Sequence, residues 1–121
     1  MSELGEPKLD ELLAQLHAES RAQEEAVNQY FERRADSIHW GKLDADAHRF
    51  LADKLIALDR HKALFCHRLC LALRAHLIVE VGTSHGVSTL YLARALRRMQ
   101  PRRGRVIATE SVNWTVAWTS C

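Results

Sequence analysis

Apolar positions recur at helical spacing near the start of the chain. Leu9, Leu12, Leu13 and Leu16 stand at i, i+3, i+4 and i+7, one stripe of an amphipathic helix. Pro7 suits a first helical position, and Asp10 and Glu11 suit the positive end of the helix dipole. The stripe thins across Glu19 to Glu25 and returns at Val27, Tyr30 and Phe31, so the stretch to about Asp36 fits one long helix or two. Its heptad spacing holds for too few turns to make a coiled coil. Ser37 to Lys42, with Trp40 and Gly41, reads as a connection. A second helix is expected from an Asp44 N-cap to Leu58, and a third from about Asp59 to Ala75, with Leu64, Phe65, Leu69, Leu71 and Leu73 as its apolar content. Residues 1–75 therefore read as an N-terminal helical segment.

The texture changes at Leu77. Leu77, Ile78, Val79 and Val81 form a short β-branched run ending in Gly82, the pattern of a buried parallel strand. Thr83 to Gly86 is a small-residue turn. Ser88 to Met99 is helical again, with Ser88, Leu92, Ala95, Leu96 and Met99 on one side and Arg94, Arg97 and Arg98 on a solvated side. Pro101 and Gly104 end that helix, and Arg105 to Thr109 makes a second strand closed by Glu110. Residues 76–110 are thus a βαβ unit, and the fold class is α/β. Residues 111–121, SVNWTVAWTSC, form an atypical tail in place of the next helix.

Composition narrows the setting. A chain of 121 residues with 47% hydrophobic and 26% charged side chains is one globular domain in size and content. The longest purely apolar run, Leu69 to Leu73, is far below the ~20 residues of a membrane span. The first residues lack an apolar signal core, and three cysteines make no disulfide framework. A cytoplasmic protein without a membrane partner is expected. The net charge of +2 conceals an acidic first half and a basic second half. Such asymmetry marks either a nucleic-acid surface or two faces that dock on each other.

The segment VEVGTSHGVSTLYLARAL carries the candidate chemistry. Glu80, Gly82 and Gly86 spell E-x-G-x-x-x-G, with Ser88 two residues further on. Gly82 permits a tight exit from the strand, and Gly86 leaves room for a ligand to approach the backbone where a Cβ would clash. The following helix points its N-terminal N–H groups at that ligand. Glu110, at the end of the next strand, is placed to accept hydrogen bonds from ribose hydroxyls. A dinucleotide fingerprint would need a third glycine, and a P-loop would need G-K-[ST]. Glu80 would repel a pyrophosphate and attract an ammonium. The ligand these residues favour is an amino acid joined to a nucleoside, as in S-adenosyl-L-methionine.

This segment, followed by GRVIATE, resembles the first βαβ unit of class I S-adenosylmethionine-dependent methyltransferases, most closely the small-molecule O-methyltransferases of the catechol and caffeoyl-CoA type. The resemblance is specific over Leu77 to Glu110 and looser over LDRHKALFCHRLCLAL upstream. It implies a truncated Rossmann-like methyltransferase fold that binds S-adenosyl-L-methionine for methyl transfer to a small-molecule oxygen. By position, Glu80 and Ser88 would hold the methionine amino and carboxylate groups. Gly82, Thr83 and Ser84 would line the loop, Gly86 would keep the approach open, and Glu110 would bind the ribose.

The chain also departs from that family. The complete relatives have seven strands, an adenine-binding acid after the third and, in the catechol type, metal ligands and a base after the fourth. None of these is present, so no catalytic residue and no divalent-metal ligand is assigned. The tail looks like a truncated or frame-shifted end, and the chain alone is expected to be inactive. The methyl acceptor is unknown, and a homo-oligomer is compatible with the sequence. The alternative function is a non-catalytic remnant, or a nucleic-acid or protein-binding module using the six arginines from Arg94 to Arg105. A solvated helix face and a basic turn explain those arginines more simply, and nucleic acid is not expected as a partner. Cys66 and Cys70, with His61 and His67 nearby, make one irregular cluster, for which buried thiols are a simpler account than a metal site. His85 reads as a solvated loop residue, and Asn113-Trp114-Thr115 as a sequon without a secretory context.

Overall fold

A computed structural model describes residues 2–39, 42–99, 104–110 and 117–120, the last four as backbone. Helix α1 (Pro7–Glu32) is a single helix of 26 residues, with Pro7 in its first turn. The Asp10 carboxylate accepts from the Ser2 hydroxyl and from the Leu4 N–H, folding the N-terminal residues back against the helix start. Leu4 is thereby buried.

Helix α2 (Ala45–Leu51) begins where expected, its Asp44 side chain capping the Ala47 N–H at 2.8 Å. It ends seven residues before the expected Leu58. The reason is tertiary: the N–H of Leu55 donates to Gln23 Oε1 at 2.9 Å and that of Ala57 to Ser20 Oγ at 3.2 Å. Side chains of α1 thus satisfy backbone donors that a helix would have turned inward, and Leu55 enters the core. Helix α3 (Arg60–Ala72) follows, capped by Asp59 through the His61 and Lys62 N–H groups.

Strands β1 (Leu77–Val81) and β2 (Arg105–Thr109) pair in parallel, Leu77 opposite Arg105 and Val81 opposite Thr109. Helix α4 (Val87–Arg98) connects them. The expected strand–helix–strand unit is present, as a mixed α/β arrangement with one parallel pair. Two expectations change. A third strand, β3 (Ala117–Ser120), runs antiparallel along the other edge of β2, giving the order β1-β2-β3, so part of the tail extends the sheet. And β1 is only half buried, because α4 covers one face of the sheet and none of the described residues covers the other.

One core joins the helical segment to the βαβ unit: Leu4, Leu13, Leu55, Ala63, Leu64, Val87 and Tyr91 cluster together. Beside it, Leu92, Leu96 and Val106 pack with Ile78, Cys66 and Cys70 between α4, α3 and the sheet. Buried Tyr91 ties the layers, its hydroxyl 2.9 Å from His17 Nε2 on α1 and its carbonyl 2.8 Å from His67 Nδ1 on α3. Arg94 departs from the expected solvated face. Its guanidinium donates to the Leu4 and Gly5 carbonyls and faces Glu6, so it clasps the N-terminal residues to α4, while Arg97 and Arg98 remain exposed. Arg102, Arg103, Pro101, Trp40, Gly41 and the Asn113-Trp114-Thr115 sequon lie outside the described residues. Among the described residues no helix is long and apolar enough to cross a membrane.

Candidate functional site

The loop between β1 and α4 is fastened to the end of β2. The Thr109 carbonyl accepts from the Gly82 N–H at 2.8 Å, the Thr83 N–H at 3.0 Å and the Thr83 hydroxyl at 3.1 Å. Thr109 in turn donates its hydroxyl to the Glu80 carbonyl at 3.2 Å. Gly82, Ser84 and Gly86 all take positive φ, +84°, +50° and +82°. At Gly86 this left-handed residue is itself the N-cap of α4, and it offers no side chain to the first-turn N–H groups.

Within the protein itself, backbone conformation rather than crowding favours glycine at position 86. A Cβ there would meet only Thr89 Oγ1, at 3.9 Å, and one at Gly82 would meet nothing within 4 Å. The protein itself does not crowd either position. The positive φ is what favours glycine, since side-chain-bearing residues pay roughly 1–2 kcal/mol to enter that region.

Glu80 lies at the foot of the helix. Its two carboxylate oxygens accept from the hydroxyls of Ser88 and Thr89, so the strand end and the first turn of α4 are joined through one side chain. Thr89 was not among the expected site residues. The signal for it was a hydroxyl adjacent to Ser88 in the same helical turn. Across the loop, Glu110 Oε2 accepts the Ser84 N–H at 2.6 Å, so here the carboxylate expected at a ribose braces the strained loop residue. Ser84 Oγ is 3.3 Å from His85 Nδ1 at the exposed tip.

A cleft of about 730 Å³ opens beside β1, between that strand, α3 and the segment 56–59. Glu80, Gly82, Thr83 and Ser88 line it, together with an apolar wall that includes Ile56, Leu58, Leu69 and Val81. Ser84, Gly86 and Glu110 do not line it. The seven expected residues thus fall into two groups: four on the cleft, and three off it, Ser84 and Gly86 on the loop and Glu110 at the end of β2. Cys66 and Cys70, expected to be buried, are only partly so and line the same cleft. Among the described residues no group of three or more His, Cys, Asp and Glu converges as a metal site.

Comparison with known proteins gives no match: neither a family model, nor a curated protein, nor a solved structure matches the chain.

Proposed function

We propose that this chain carries the first, cofactor-binding βαβ unit of a class I methyltransferase fold, of the Rossmann-like kind, and that its ligand is S-adenosyl-L-methionine. The observation that supports the reading best is the pair of carboxylates around one glycine loop. Glu80 sits beneath the α4 N-terminus with two hydroxyls on it, and Glu110 sits across the loop at the end of the neighbouring strand.

The donor set suits the cofactor's charge pattern. Glu80 would hold the ammonium, and the Ser88 hydroxyl with the first-turn N–H groups of α4 would take the carboxylate. Glu110 would exchange the Ser84 N–H for ribose hydroxyls. Gly82, Thr83, Ser84 and Gly86 would form the floor, with room above both glycines for a ligand. The cofactor supplies an electrophilic methyl group; this chain's residues bind and orient it. No general base or metal ligand for an acceptor is assigned, so the chain alone is proposed to bind without turning over. The acceptor in a complete enzyme would be a small-molecule oxygen. The competing use of the arginines as a nucleic-acid surface is weakened by Arg94, whose guanidinium is spent on the chain's own N-terminal carbonyls.

Isothermal titration with S-adenosylhomocysteine tests the reading. Binding is expected, and Glu110→Gln and Glu80→Gln should each weaken it by about 1–2 kcal/mol through loss of charge-assisted hydrogen bonds. Replacing Arg97 and Arg98 with Gln should leave it unchanged. Absence of binding by the wild-type chain, or undiminished binding by both carboxylate variants, overturns the assignment. Labelled-methyl transfer to catechols, with and without magnesium, should give no turnover.

A further inference from the structure

Lys62, Cys66 and Cys70 follow one another at intervals of four residues on α3, and all three line the cleft beside β1. Residues so spaced share one helix face, with Cβ atoms ~5–6 Å apart on adjacent turns. Neither thiol is in a disulfide, and both pack against the apolar group of Leu92, Leu96 and Val106. Burial pushes the Cys70 thiol above its ordinary value, and the neighbouring Cys66 adds to the same shift. The cleft therefore presents two sulfurs from one helix face in an apolar wall, with one ammonium a turn away.

The surroundings decide which ion such a pair would take. Zinc wants four ligands in a tetrahedron, and no third or fourth converges among the described residues. His67 does not line the cleft, and its Nδ1 is on the Tyr91 carbonyl. Glu80, on the same cleft, is engaged by the Ser88 and Thr89 hydroxyls. Two soft sulfurs without oxygen or nitrogen ligands select a soft monovalent ion, of which Cu(I) is the biological example.

We propose that Cys66 and Cys70 form a two-coordinate thiolate site for Cu(I) in the cleft between α3 and β1. On binding, each thiol releases its proton to solvent and each sulfur forms one bond to copper, which stays Cu(I) throughout. The resulting bis-thiolate carries one negative charge, which the Lys62 ammonium offsets from the preceding turn. The site stands independently of the cofactor reading.

The test uses the full chain with Cys121→Ser, which removes the third cysteine, reduced and free of oxygen. Titration with Cu(I) against a chromophoric copper chelator should give one copper per chain, and a parallel titration should show no comparable zinc binding. Cys66→Ser and Cys70→Ser should each weaken copper binding by more than about 100-fold, beyond what outer-shell changes cost. Lys62→Gln should weaken it less. Wild-type affinity in either cysteine variant overturns the site, as does a stoichiometry of one copper per two chains. Circular dichroism of the metal-free variants checks their fold. Should a serine variant fail to fold, alkylation of the otherwise unsubstituted chain decides: one equivalent of Cu(I) must protect both thiols from iodoacetamide together, and protection of neither or of only one overturns the proposal.

Discussion

On the face of the sheet that α4 covers, Val106 and Ala108 are 1% and 2% exposed, with Ile78 packed beside them. On the opposite face, Leu77, Val79 and Val81 are 57%, 61% and 86% exposed. The two faces alternate along the same strands and are built from the same kinds of residue, so residue type does not distinguish them. Coverage does. α4 has Leu92 and Leu96 to lay against one face, whereas none of the described residues lies against the other. Parallel strands ordinarily have both faces covered, and the exposed Phe65 and Leu69 of α3, with Leu73 just after it, extend the apolar surface of this half. A folded, well-packed layer and an unfinished one meet in a single sheet.

The largest expected effect separates those faces directly. Val106→Asp places a carboxylate in the packed layer and should destabilise the chain by about 3 kcal/mol or more. Val79→Asp on the open face should change stability by less than about 0.5 kcal/mol and raise solubility. Urea unfolding of the two variants measures the difference, and equal losses would mean that the open face is covered in solution.

Gly104→Ala probes the seam between α4 and β2. A Cβ there would fall 2.6 Å from Leu96 Cδ2 and 3.2 Å from its Cγ, and Leu96 is buried, so it cannot swing aside freely. A loss of about 1–3 kcal/mol is expected. Gly86→Ala, by contrast, meets open space and should cost only the backbone strain, about 1–2 kcal/mol. If Gly104→Ala proves the milder of the two, the covered layer is less tightly packed than its exposures indicate.

Tyr91→Phe removes the hydroxyl that meets His17, leaving that nitrogen buried without a partner, for about 1 kcal/mol. The smallest effect is a pH dependence confined to the same covered side. Burial lowers both His17 and His67 from the ordinary value near 6.5, helped by Arg21 and Arg60 at the first and by Arg98, Arg94 and Arg68 at the second. The folded chain therefore binds fewer protons than the unfolded one below that value. Stability should be level above about pH 6.5 and fall as pH drops toward the lowered folded values. Loss at still lower pH belongs to Asp59, Asp44 and Asp53, whose carboxyls are held down chiefly by hydrogen bonds to their charged form. Unfolding midpoints between pH 5 and 8 check the histidine window, and a flat profile there would mean that both imidazoles are reached by water.

Local pattern was enough wherever neighbours in sequence supply the physics. Pro7 and Asp44 start helices, the apolar run Leu77–Val81 makes a strand, and the Gly82–Gly86 turn carries the chain into α4. Glu80 and Ser88 are singled out by a family resemblance, and the structure joins them because a strand end and the next helix start adjoin. Contacts between distant segments decided the rest. The sequence of α2 continues apolar past Leu51, yet Gln23 and Ser20, more than thirty residues earlier, take the N–H groups of Leu55 and Ala57. Arg94 has the spacing of a solvated arginine, but two carbonyls ninety residues away hold it. Alternation in β1 says which residues share a face and is silent on whether anything lies against it. Periodicity records where a side chain points, while burial depends on what the rest of the chain brings there.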